Sequence, residues 1–122
     1  MIKYQFVVLL HLQQPGAAID MLQQAQQTPD LHLAAQVQIM LGRAYSNAGE
    51  RQKSINAYLR VPYLYPDEML LVKQALRQVA RHYVAMQKCP EATTVYNKLL
   101  GRITDAQETR EVKQEMAVSG CP

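Results

Sequence analysis

The sequence predicts an all-α fold, and three observations point to it. Gln and Ala are abundant, only five of the 122 residues are Gly, and β-branched residues rarely cluster, a composition that favours helix. Apolar residues recur at helical spacing, as in Val37, Leu41, Ala44 and Tyr45 or in Val72, Leu76, Val79, Ala80 and Tyr83. No stretch sustains a period-two alternation. Breakers then cut the chain into segments of helical length: Pro15-Gly16, Thr28-Pro29-Asp30, Asn47-Ala48-Gly49, residues 62–67, Cys89-Pro90 and Gly101.

Taken in order, helices are expected at 2–14, 16–27, 31–47, 51–61, 67–87, 90–100 and 105–118. The first carries a short apolar run, Phe6 to Leu10, that faintly resembles a signal peptide. The run is brief and sits beside His11, Gln13 and Gln14, so it is read as a helix of the fold. Gly49 suits a left-handed stop for the 31–47 helix. Ile55, Tyr58 and Leu59 give 51–61 its apolar face. Asp67, with Glu68 behind it, places an acceptor and negative charge at the start of 67–87. Pro90 fits a first helical turn, where a missing N–H has no intrahelical partner to lose. Ala92, Val95, Tyr96 and Leu99 form the apolar stripe of 90–100, and Thr104 with Gln107 makes a capping-box pattern for the last helix.

The 122 residues suffice for one domain with a real core, and the hydrophobic share of 48% excludes a disordered tail. No run of 18 apolar residues occurs, so an ordinary membrane-spanning helix is excluded. The net charge of +3 permits nucleic acid without indicating it, and basic–aromatic interleaving on one face is missing. Catalysis finds no footing: His11, His32 and His82 are scattered, and there is no phosphate loop, nucleophile elbow or metal-ligand spacing. No enzyme activity, metal or cofactor is expected.

The helices repeat. Leu41-Gly42-Arg43-Ala44-Tyr45 is followed by Gly49, by Ser54-x-x-x-Tyr58 and by Pro66, and a second copy follows with Leu76, Ala80, Tyr83 and Ala92-x-x-x-Tyr96. Gly42 to Ala80 and Ser54 to Ala92 are both steps of 38. Ala18-Ile19 and Leu22 give a third, partial copy upstream. This pattern resembles the tetratricopeptide repeat, with W-x-x-L-G-x-x-Y, then A-x-x-x-F, then P. Gln38 stands at the Trp position, Ser54 at the Ala and Tyr58 at the Phe. The final Pro gives way to Thr104 in the last copy and shifts to Pro29 in the first. The 36–38-residue spacing and the Tyr-Leu-Tyr-Pro-Asp ending are similar to bacterial envelope members of that superfamily, such as the barrel-assembly lipoproteins and Tol–Pal-associated proteins.

The resemblance implies a right-handed superhelical stack of antiparallel helix pairs. One domain, 1–122, would hold repeats at 2–30, 31–68 and 69–104 with a capping helix at 105–118. Small residues at Gly42/Ala80 and Ser54/Ala92 would let paired helices approach, and Tyr45, Tyr58, Tyr83 and Tyr96 would be buried between layers. The resemblance also implies a concave groove that binds a protein or peptide. Its positions fall on Gln36, Ile39, Arg43, Ser46 and Asn47, then on Gln74, Arg77, Arg81, Val84 and Ala85, with Lys3, Val7, Leu10 and His11 upstream. Arg43, Arg77 and Arg81 suit an acidic peptide or a free C-terminal carboxylate. Solvated arginines, or arginines paired with acidic neighbours, are the alternative. Asn47 and Lys3 do not reproduce the family's carboxylate clamp, so chaperone-tail binding is not implied. Tyr63 and Tyr65, between Pro62 and Pro66, are expected to cap the gap between repeats.

Val7 and Leu10 on the groove side would leave apolar surface uncovered, so a longer parent protein or self-association into a homo-oligomer is the second expectation. The third concerns Cys89 and Cys121. The helices 90–100 and 105–118 are joined by a short turn and should run antiparallel, one travelling ~16 Å from Cys89 and the other returning ~20 Å. A bridge is therefore allowed, with two reduced thiols as the alternative. A bridge would favour an oxidising space, the bacterial periplasm or envelope, over the cytoplasm.

Overall fold

A computed structural model describes residues 15–121, and every regular element in them is an α-helix: α1 Pro15–Ala25, α2 Leu31–Asn47, α3 Arg51–Leu64, α4 Met69–Ala85, α5 Cys89–Leu100 and α6 Ala106–Val118. The helix expected at 2–14, with Lys3, Val7, Leu10 and His11, lies outside the described residues. Each connection spans three to five residues, so every helix packs on its neighbour in the chain. One longer-range contact stands out, that of α2 with α4. None of these helices is long and apolar enough to cross a membrane.

The repeat in the sequence has a backbone counterpart. Helices α2 and α4 are both 17 residues long and begin 38 positions apart, as do the starts of α3 and α5. Their C-termini close in the same way. Glu50 N donates to Tyr45 O and Gly49 N to Ser46 O; Lys88 N donates to Tyr83 O and Gln87 N to Val84 O. This double bond around a left-handed residue satisfies carbonyls that the helix leaves free. The left-handed residue is Gly49 (φ 78°) in the first unit and Gln87 (φ 59°) in the second.

Three boundaries depart from the sequence reading. Helix α3 runs through Pro62 to Leu64, because a proline in the last turn forfeits one hydrogen bond while Tyr65 N still reaches Val61 O at 2.9 Å. Helix α4 begins at Met69 rather than 67, and Glu68, its N-cap, makes no capping bond; its carboxylate turns to His32 Nδ1 at 3.0 Å. Asp105, not Thr104, caps α6. Its Oδ2 accepts from Glu108 N at 2.8 Å, bringing a full negative charge to the helix start where Thr104 offers only a hydroxyl. Asp30 caps α2 likewise, accepting from Leu33 N.

Two apolar clusters share α3. Ala18, Leu22, Val37, Leu41, Ala44 and Ala57 fill the first, between α1, α2 and α3. The second is larger and runs from Ile55, Tyr58 and Val61 through Val72, Leu76 and Val79 to Val95, Tyr96, Leu99 and Val112. At Gly42 helices α2 and α3 meet closely, since a Cβ there would lie 2.6 Å from Tyr58 Cζ. Tyr58 and Tyr96 are buried as expected, but Tyr45 and Tyr83 are only half-buried. The Tyr45 hydroxyl is kept at the surface, where Gln23 Nε2 donates to it. Tyr63 does not cap a gap: it stands 86% exposed.

Candidate functional site

The arginines of α2 and α4 follow from the 38-residue step. Arg43 and Arg81 occupy equivalent positions on the two helices, and Ile39 and Arg77 occupy another equivalent pair one turn earlier. Ile39 and Val84 spend most of their surface on the larger core cluster and so contribute structure to this face. Arg43, Ser46, Asn47, Gln74 and Ala85 are exposed, and Gln36 is half-buried. Among the described residues Arg43 has no ion-pair partner, though its charge reaches the Tyr58 phenol; burial pushes that hydroxyl's pKa up and Arg43 opposes the shift.

Arg77 and Arg81 are not simply solvated. Both bond to one carboxylate, Glu115 on α6, which the sequence reading did not single out. Arg77 Nε donates to Oε1 at 3.2 Å, and Arg81 donates through Nε at 3.2 Å and Nη2 at 2.6 Å. Tyr96 Oη donates to Oε2 at 2.6 Å. Burial alone would raise the Glu115 pKa, but the bonds from Arg81 and Tyr96 and the two positive charges outweigh it and hold the carboxyl below its ordinary range. The Tyr96 phenol is driven up, first by burial and then by Glu115. Glu115 stands one 38-residue step beyond Arg77, so the same register that aligns Ile39 with Arg77 could have found it. Lys73 and Glu108, 3.1 Å apart, form a further bridge between α4 and α6.

One carboxylate neutralises one of two guanidinium charges, and Arg81 keeps 49% of its side chain exposed. The cluster of Arg77, Arg81 and Glu115 therefore stays net positive. It holds a carboxylate by the fork geometry that guanidinium groups favour.

A second polar feature lies between α2, α3 and α4. Ser54 Oγ donates to Gly42 O at 2.6 Å, and His82 Nε2 lies 3.0 Å from the same oxygen. The serine's single hydrogen is spent on Gly42, so Nε2 carries the imidazole proton and donates it. Burial, aided by the Arg51 charge, lowers the His82 pKa and keeps the ring neutral. His82 thus ties α4 to α3 and, through Ser54, to α2. The residues singled out at Cys89 and Cys121 come together at disulfide distance, with Cα atoms 5.3 Å apart, clasping the end of α6 to the start of α5.

Among the described residues no three His, Cys, Asp or Glu side chains lie close enough together to hold a metal ion. No family model matches the chain, and no curated protein or solved structure matches it. The described residues are thus all-helical, with a 38-residue step between helices and an arginine pair on α4 held by Glu115 of α6.

Proposed function

We propose that this chain is a tetratricopeptide-like interaction module, stacked as a right-handed superhelix, that holds an acidic segment or a free C-terminal carboxylate of a partner protein against Arg43 and Arg81. The observation that carries this reading is the Glu115 carboxylate seated between Arg77 and Arg81. It is an internal example of the ligand chemistry, and Arg43 repeats the Arg81 position one unit away with no acid beside it among the described residues. Gln36, Asn47 and Gln74 supply hydrogen bonds at the rim. No catalytic step belongs to this reading. The Cys89–Cys121 pair supports an oxidising location such as the bacterial periplasm or envelope, which thiol titration of the unfolded, unreduced protein tests. For binding, a short Asp/Glu-rich peptide with a free C-terminal carboxylate is compared with its C-terminal amide by fluorescence anisotropy. The free acid should bind more tightly, and Arg43→Glu with Arg81→Glu should weaken it and flatten its salt dependence. Equal affinity for the double variant ends the proposal.

Self-association is a second reading, favoured by the apolar edge at the N-termini of α2 and α4, where Leu31, Met69 and Leu70 are exposed. Light scattering across concentration decides it, and a strict monomer counts against it.

A further inference from the structure

An open groove of about 840 Å³ lies between α3 and α5, sharing no residue with the arginine face of α2 and α4. Its floor is aliphatic: Leu59 from α3, Leu76 from α4 and Val95 from α5. The 38-residue step lays Arg60 on one wall and Lys98 at the equivalent position on the other, and Arg102 follows the end of α5. No acidic side chain lines the groove, and among the described residues these three cations form no ion pair. Arg60 reaches only the Gln26 amide, at 3.4 Å, and Arg102 only the Met69 sulfur, at 3.7 Å. Tyr63, its ring almost fully exposed, stands on the rim beside them. The contrast with Arg77, Arg81 and Lys73, each matched to a glutamate of α6, is sharp.

We infer that the α3–α5 groove is a docking site for an acidic amphipathic helix of a partner protein, its aliphatic stripe on Leu59 and the exposed Leu64, above the buried Leu76 and Val95, and its flanking Asp or Glu side chains on Arg60, Lys98 and Arg102. The floor rewards burial of apolar surface, so a purely polar anion leaves the site unfilled. The cations stand on both walls and at one end, so a ligand with a single carboxylate meets only part of them. Residues three and four apart on a helix share one face, so an apolar stripe at that spacing is bordered on both sides by positions that can carry carboxylates.

The probe is a synthetic amphipathic peptide of about 16 residues, some 24 Å as a helix, with a Leu stripe flanked by Glu. Its Glu→Gln counterpart is the control. Fluorescence anisotropy with the oxidised protein should show the acidic peptide binding, weakened by added salt, and the Gln peptide binding less well. Reversing Arg60, Lys98 and Arg102 together to Glu should reduce affinity about tenfold. Tyr63→Ser should weaken it several-fold, while Arg43→Glu with Arg81→Glu leaves it unchanged, separating this site from the α2–α4 face. Amide shifts on titration should cluster on α3 and α5. Circular dichroism checks the triple variant's fold, and Lys98→Glu alone, at an exposed position, gives the same readout with the least perturbation. Absent binding, equal binding of the Gln peptide, undiminished binding by the reversed variants, or binding of anionic vesicles or palmitate in the peptide's place would each overturn the inference.

Discussion

Helices α2 to α5 and helix α6 are held in place by different physics. The four body helices bury two apolar clusters, in the larger of which Ile55, Val72, Val79 and Leu99 are essentially inaccessible. Helix α6 buries a single residue, Val112, and is otherwise fastened from outside: Lys73 to Glu108, Arg77 and Arg81 to Glu115, and Cys89 to Cys121. Apolar burial is not weakened by ionic screening or by reductant, whereas ion pairs yield to the first and a disulfide to the second. The body should therefore persist under conditions that release α6.

The disulfide makes the largest difference. Closing a loop of 32 positions of separation stabilises by about 4 kcal/mol on chain-entropy grounds. Cys89→Ser with Cys121→Ser should lower global stability by roughly that amount, and α6 amides should exchange far faster while α2 to α4 keep their protection. Uniform loss of protection through all helices would break the distinction between body and clasp.

How much of this was readable beforehand follows the same division. The 31–47 helix, the 38-residue step and the small residues at Gly42 and Ala80 are local or periodic signals, and the structure reproduces them. The return of α6 towards Cys89 follows from two helix lengths and a short turn. The 38-residue register aligns Glu115 with Arg77, but neither register nor helix length determines the lateral placement of α6 that brings the two together. Glu115 was missed for that reason. His82 was read as one of three scattered histidines because its partner, Ser54, and Ser54's own acceptor, Gly42 O, lie on two other helices. Tyr45 and Tyr83 were expected to be buried like Tyr58 and Tyr96, but a repeat's symmetry does not say which phenol faces an edge.

The next largest effect lies in the body. A Cβ on Gly42 meets the Tyr58 ring at 2.6 Å, and that ring is itself buried. Gly42→Leu should cost about 1–3 kcal/mol by overpacking, measured by urea denaturation. Oxidised and cysteine-free backgrounds should show the same cost if body and clasp are independent. A cost that vanishes in one background joins them.

Breaking the charged latch is smaller. Glu115→Gln removes the carboxylate from Arg77, Arg81 and Tyr96 and should cost about 1 kcal/mol, since Arg81 is half-exposed and solvent screens the pair. The loss should fall with added salt and be confined to α6 in exchange experiments. Acid separates latch from body. The folded-state pKa of Glu115 lies below its ordinary 4.5, so its contribution is complete above pH 4.5 and fades as pH falls through the lower folded value. The His82 pKa is also depressed, from 6.5, so the unfolded chain takes up its proton first and the neutral ring's contribution declines as pH drops below 6.5. Stability measured from pH 7 to 5 should therefore slope downward in the parent and flatten in His82→Gln. Persistence of the full slope in that variant would assign it elsewhere.

The smallest effect sharpens the comparison from within the body. Gly49 and Gln87 hold the same left-handed position at the ends of α2 and α4, at φ 78° and 59°, yet only one is glycine. A side chain in that region brings its Cβ against the carbonyl oxygen, at a cost of about 1 kcal/mol, and glycine avoids it. Glycine's freer unfolded chain offsets part of the gain. Gln87→Gly should therefore stabilise by about 0.5 kcal/mol, and Gly49→Ala, with open space around its new Cβ, should destabilise by about 1 kcal/mol through φ alone. Both shifts should appear in the thermal midpoint and leave α6 exchange in the oxidised protein unchanged. Gln87 is two residues before Cys89, so a change in α6 exchange on Gln87→Gly would mean that the turn positions the disulfide, and the boundary between body and clasp would move into the α4–α5 connection.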